Sequence, residues 1–222
     1  GTAGIIPATV GTGDSYSTTY TYTLPAGIDE NQVSIIGFVS EYGAGVDQRQ
    51  MLNSSGLVQL STLFVPPVND DVCNALPLTF GLTETFNATL ATTEAGEVVP
   101  PPGTATNPCY SQDGWCNLFE DGVNQGPALN NSVWFTFEAP ASGNVTLNTD
   151  QSTYDTQLAV WSAPSCSSLV SGGGGTFVGG NDDNLNYVTT QYSSEVTVTC
   201  LTPGIIYYVQ VDGYQGAEGD LV

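Results

Sequence analysis

Oxygen ligands dominate the chemistry this chain could perform. Acidic and amide residues gather in short runs. Asn69-Asp70-Asp71 is one; Asp113 lies in a loop between two cysteines and Glu120-Asp121 follow it; Asp155 opens a strand-like segment; Asn181-Asp182-Asp183-Asn184 is another run; Asp212 closes a second strand-like segment. Carboxylates, amide carbonyls and backbone oxygens are what a hard cation takes, calcium with six to eight of them. Asn69, Asp70, Asp71, Asp155, Asp182, Asp183 and Asp212 are therefore calcium-ligand candidates. From Asp182 the spacing Asp-x-Asn-x-Asn begins like an EF-hand loop. Tyr187 then stands where that loop needs glycine and Ser193 where it needs a bidentate glutamate, so an EF-hand is excluded. The competing reading is that these Asx residues make turns by bonding their own backbone. It has a slight advantage, most of all at 181–184.

Absent residue types narrow the field further. The chain has 222 residues, 22 Asp and Glu, a single basic residue, Arg49, and no histidine, for a formal charge of −21. Ser-His-Asp and Cys-His nucleophiles, histidine-ligated metals and histidine pH switches are excluded. One arginine cannot build a nucleic-acid footprint or hold an anionic membrane surface. Paired carboxylates could hydrolyse glycosides, but any acidic β-protein contains such pairs by chance. Asp155-Thr156-Gln157 is the nearest approach to an aspartic-protease signature and lacks its glycine. The expectation is a protein that is not an enzyme.

Three tryptophans are candidates for stacking on a sugar. Trp134 and Trp161 lie in strand-like segments, where packing is the default. Trp115, in a loop between two cysteines, is the surface candidate. Cys109 and Cys116 bracket six residues and form the best local disulfide; Cys166 with Cys200 is the second choice. The five cysteines leave one free or bridged elsewhere, and spacing does not settle connectivity.

The elements that must position these residues are strands. Tyr16, Thr18, Tyr20, Tyr22 and Leu24 alternate with Ser17, Thr19, Thr21 and Thr23, and Pro25-Ala26-Gly27 ends the run. QVSIIGFV at 32–39 is apolar on both faces and reads as a central, doubly covered strand; 56–64 follows. The prolines of FVPPVND, 64–70, mark a linker, dividing a β-rich module at 1–66 from a second module at 67–222. Segments 76–82, 132–138, 143–149, 155–161, 194–201 and 204–212 are strand-like. Val133, Phe135 and Phe137 share one face, as do Val196, Val198 and Cys200. Asp70 or Asp71 could cap a short helix at 70–76. Residues 92–131 form a long loop, and a connection of that length is usually functional. The expected fold is all-β: two β-sandwich-type modules, the second jelly-roll-like, with long loops and little helix. No apolar run is long enough to span a membrane. GIIPATV at the start and GDLV at the end look like strands cut inside a fold.

NDDVCNALPLTFG (69–81), NSVWFTFEAPASGNVTLNT (131–149), DTQLAVWSAPSC (155–166), GGNDD (179–183) and LTPGIIYYVQVDGYQGAEGD (201–220) resemble the bacterial pre-peptidase C-terminal domain family. The resemblance implies a non-catalytic jelly-roll sandwich appended to secreted enzymes and adhesins, some of which bind calcium through an acidic linker. It makes Asn69, Asp70 and Asp71 the linker ligands and Asp155, Asp182, Asp183 and Asp212 framework residues. It also implies that a final strand is missing after Val222. TAGIIPATV, YTYTLPAGIDENQVSIIGFVSEY and RQMLNS are similar to the β-rich tail of a module in outer-membrane-associated proteins of gliding-type Gram-negative bacteria. There the tail follows a thioredoxin-like lobe, absent here. The pairing implies a central stretch of a long exported surface protein.

The leading expectation is an extracellular, non-catalytic structural or adhesive protein at the surface of a Gram-negative bacterium. It would form a homo-oligomer or a fibre through strand complementation and be stabilised by calcium. Two other readings stand beside it: an accessory module of a secreted peptidase or glycosidase, and a carbohydrate-binding module that engages surface glycans.

Overall fold

The computed structural model describes residues 33–40, 51–54, 58–59, 65–116, 128–170, 174–184 and 192–222. The chain divides into two compact units, Gly1–Phe64 and Val65–Val222. The division precedes Pro66-Pro67, so both prolines belong to the second unit. The alternating segment 16–24 lies outside the described residues.

In the first unit four short strands are described: β1 (Ser34–Ile35), β2 (Phe38–Ser40), β3 (Met51–Ser54) and β4 (Val58–Gln59). β1 pairs antiparallel with β4, and β2 with β3. The expected central strand at 32–39 is thus two pieces that break at Ile36-Gly37. Ile35 and Ile36 are 47% and 49% exposed, so this stretch is not doubly covered.

The second unit holds β5 (Leu76–Pro77), β6 (Phe86–Asn87), β7 (Val133–Glu138), β8 (Val145–Asn148), β9 (Thr156–Ser162), β10 (Thr176–Asn181), β11 (Glu195–Val198), β12 (Ile206–Gly213) and β13 (Asp220–Leu221). Five of them form one sheet in the order β10-β9-β12-β7-β5. Its pairs are antiparallel except β5 with β7. β8 with β11 and β6 with β13 form separate antiparallel pairs. The fold is all-β, with 3-10 turns as its described helical pieces in this unit.

Alternation explains the layering, because successive strand side chains point to opposite faces. Val133, Phe135 and Phe137 of β7 join Leu158 and Val160 of β9, Val209 and Val211 of β12, Val196 and Val198 of β11, and Leu221 of β13 in the main core. Trp134, Ala159 and Trp161 point the other way. There they meet Val72, Trp115 and Leu169, which loops and 3-10 turns carry over the sheet. Both faces of the central strands are therefore dry, and all three indoles are satisfied. Trp115 Nε1 donates to Leu158 O (2.9 Å), Trp134 Nε1 to Glu97 Oε1 (2.7 Å) and Trp161 Nε1 to Gln210 Oε1 (2.9 Å). Trp115 is fully buried, which corrects its assignment as a surface stacking residue. The loop that carries it is a lid on the sheet, and the ring fills that lid.

Two disulfides hold the covering loops. Cys109–Cys116 closes a local loop, and Cys73–Cys166 joins the 3-10 turn Val72–Asn74 to the turn Cys166–Leu169. The Cys166–Cys200 pairing does not form. β11 ends at Val198, and the backbone enters the left-handed region at Cys200 (φ 59°), which turns this thiol off the core face of Val196 and Val198. Cys200 is free and exposed. The expected helix at 70–76 is the 3-10 turn; Asp71 sits at its N-cap without a side-chain capping bond. No helix among the described residues is long and apolar enough to cross a membrane.

Candidate functional site

Strand register brings the central acidic group together. β9 and β10 run antiparallel, with Asn181 opposite Leu158. Asp155 lies just before β9, and Asp182 and Asp183 just after β10, so all three sit at the same end of the sheet. Their carboxylate oxygens lie within 4.8 Å of one another. Asp182 is 1% exposed. Its Oδ2 accepts hydrogen bonds from Cys116 N (3.1 Å) and Gln157 Nε2 (3.0 Å). Its Oδ1 is buried without a partner among the described residues, as is Oδ1 of Asp155.

Desolvation and mutual repulsion disfavour three charges here. Burial, then the Asp183 carboxylate and after it Asp155, push Asp182 up to about 8 against its hydrogen bonds. Burial followed by Asp183 pushes Asp155 up to about 7, and burial alone pushes Asp183 up to about 6. A buried, half-satisfied carboxylate cluster is costly unless something charged or protonated fills it.

The cluster is held rigidly from three sides. Asn181 Nδ2 donates to Ser111 O (3.0 Å), and Asn181 Oδ1 accepts from Glu195 N (2.9 Å). Ser194 Oγ donates to Asp182 O (2.7 Å) and Thr156 O (2.5 Å). The Cys109–Cys116 loop closes the third side. Asp183 N donates to Cys109 O (2.8 Å), and Gln157 Nε2 also donates to Cys116 O (2.8 Å). Gly114 lets the same loop pack against residues 101–103, where a Cβ would come within 2.3 Å of Pro101 O.

The other expected ligands are elsewhere and occupied. Asn69 Nδ2 donates to Trp134 O (3.0 Å). Asp70 accepts from Thr92 N (2.5 Å) and Thr92 Oγ1 (2.7 Å). Asp71 accepts from Asn74 Nδ2 (3.4 Å). The linker run thus makes three separate contacts, to Trp134, Thr92 and Asn74, and does not converge as a ligand set. Asp212 accepts from Asn130 N (2.8 Å), Asn131 N (2.9 Å) and Gly213 N (2.7 Å), a loop anchor whose burial outweighs those donors and raises its pKa. Sequence reading missed Glu97. This residue, 7% exposed, accepts from Ser132 Oγ (2.5 Å), Trp134 Nε1 and Gln210 Nε2 (3.0 Å). Nothing in its local sequence marks it, because its side-chain donors Ser132, Trp134 and Gln210 lie far along the chain.

A second feature lies away from the acids. A partly open groove of about 210 Å³ runs between the 78–86 loop and β8. Phe86, Phe135, Leu158, Val209 and Val211 make its apolar wall, and Glu84 and Asp150 are among its polar lining. Among the described residues β8 pairs only with β11, and β11 does not line the groove. Thr146, Leu147 and Asn148 of β8 line it. Thr149 N donates to Ser194 O (2.9 Å), so Val145 and Leu147 share that hydrogen-bonding parity toward β11. The backbone groups of Thr146 and Asn148 point the other way.

No protein-family model matches this chain, and neither the curated proteins nor the solved structures contain a match to it.

Proposed function

We propose that the chain is a non-catalytic structural module of an exported, cell-surface protein, and that copies join by adding a strand to β8. The observation that carries this reading is the edge of β8 that no described strand pairs, together with the apolar groove that β8 lines. A strand edge with free N–H and C=O groups is a template for another strand, and a neighbouring groove receives its alternate side chains. The donor assigned here is residues 16–24 of a second copy. That segment alternates, and it carries no charge that would add to Glu84 and Asp150. Two disulfides suit an oxidising compartment. The resemblance to pre-peptidase C-terminal domains points the same way.

Thr146→Pro tests the reading. Proline removes the outward N–H of β8 and leaves the bonds of Val145 and Leu147 to β11 in place. Sedimentation of the wild-type protein at high concentration should show concentration-dependent association that Thr146→Pro abolishes, and Thr21→Pro in the donor segment should do the same. A wild-type protein that stays monomeric, or variants that associate as well as it does, would reject strand addition.

A further inference from the structure

We propose that Asp155, Asp182 and Asp183 form a binding site for one calcium ion, and that the bound ion locks the Cys109–Cys116 loop onto the sheet. The site is independent of strand addition at β8. Three carboxylates at one sheet end are the first observation. The second is that Asp182, at 1% exposed and part of that cluster, keeps its Oδ1 buried with no partner among the described residues, and Asp155 Oδ1 is buried in the same condition.

Ligand chemistry selects the ion. The three residues offer only oxygen, which suits hard cations. Calcium holds its oxygens at about 2.3–2.6 Å, so two ligands of one ion stand at most about 4.6–5.2 Å apart. One oxygen from each of the three residues lies within 4.8 Å of the others, so a single ion can reach all three. Magnesium, at about 2.0–2.1 Å with strict octahedral geometry and reluctant dehydration, is the poorer fit. Water completes the shell on the more open side, where Asp155 and Asp183 are only half-buried.

The loop follows from the other oxygen of Asp182. Oδ2 takes Cys116 N, while Asp183 donates its backbone N–H to Cys109 O. Both cysteines of the loop therefore hang on residues that hold the ion. An ion that fixes the two carboxylates fixes both ends of the loop, and with it Trp115 over the sheet.

The test uses the full chain after chelation, with calcium alone as the probe. Calorimetric titration should show one bound ion, a rise in Tm, and slower hydrogen exchange at the Cys116 amide. Magnesium should bind on the order of tenfold more weakly or worse. Asp182→Asn should lower calcium affinity by at least about tenfold. In chelator the same variant should melt no lower than wild type, because the amide removes a repelled charge. Asp155→Asn gives a second reading of the affinity loss should Asp182→Asn not fold. A flat wild-type titration at millimolar calcium, or unchanged affinity in a folded ligand variant, would overturn the site.

Discussion

At the scale of single residues, the decisive contrast is between carboxylates that have partners and carboxylates that do not. Asp212 and Glu97 are buried, yet each accepts several donors, and their loops are anchored as a result. Asp182 and Asp155 each leave a buried oxygen unmatched. This makes the cluster a pH-dependent element of stability. Asp155, Asp182 and Asp183 are raised from 3.8 to about 7, 8 and 6 in the folded protein. Raised carboxylates retain protons that the unfolded chain has already lost, so stability falls as pH rises. Their contribution is complete below the unfolded value and disappears between about pH 6 and 8. Chelated protein should therefore lose Tm steadily from pH 5 to 8, and calcium should restore most at the alkaline end. A chelated melt that rises over that interval would contradict the burial and repulsion assigned to these groups.

At the scale of elements, alternation made most of the second unit legible. The faces of β7 were readable because Val133, Phe135 and Phe137 alternate with Trp134, and each set reached its own core. Spacing also identified Cys109 and Cys116, whose separation is short enough for one loop to close. The rest depended on distant parts. Cys73 and Cys166 are 93 residues apart, and no local pattern links them. Asp155 joins Asp182 only through the register of β9 with β10. Trp115, in a loop between two cysteines, reads as a surface residue, whereas that loop folds back as a lid. Disulfide energetics follow the same separation in scale. Closing the 93-residue span should stabilise by about 4–5 kcal/mol, and closing the 7-residue span by about 2 kcal/mol. Chemical denaturation of Cys73→Ser/Cys166→Ser should thus show the larger loss, and a larger loss from Cys109→Ser/Cys116→Ser would mean that the local loop does more than close a ring.

At the scale of the whole molecule, charge sets the terms of assembly. A chain of formal charge −21 with one basic residue cannot bring copies together through many salt bridges. Association must rest on backbone pairing and apolar contact, with salt or bound cations reducing the repulsion. The proposed strand addition at β8 would supply both contacts, and an uncharged donor segment would add nothing to the repulsion. Such assembly should strengthen as ionic strength rises and weaken in dilute buffer, opposite to a complex held by ion pairs. The most direct measurement is an electron micrograph of the native material at physiological salt. Strand addition predicts filaments in which β8 of each copy carries an added neighbour strand. Isolated monomers with that edge of β8 still open would contradict it.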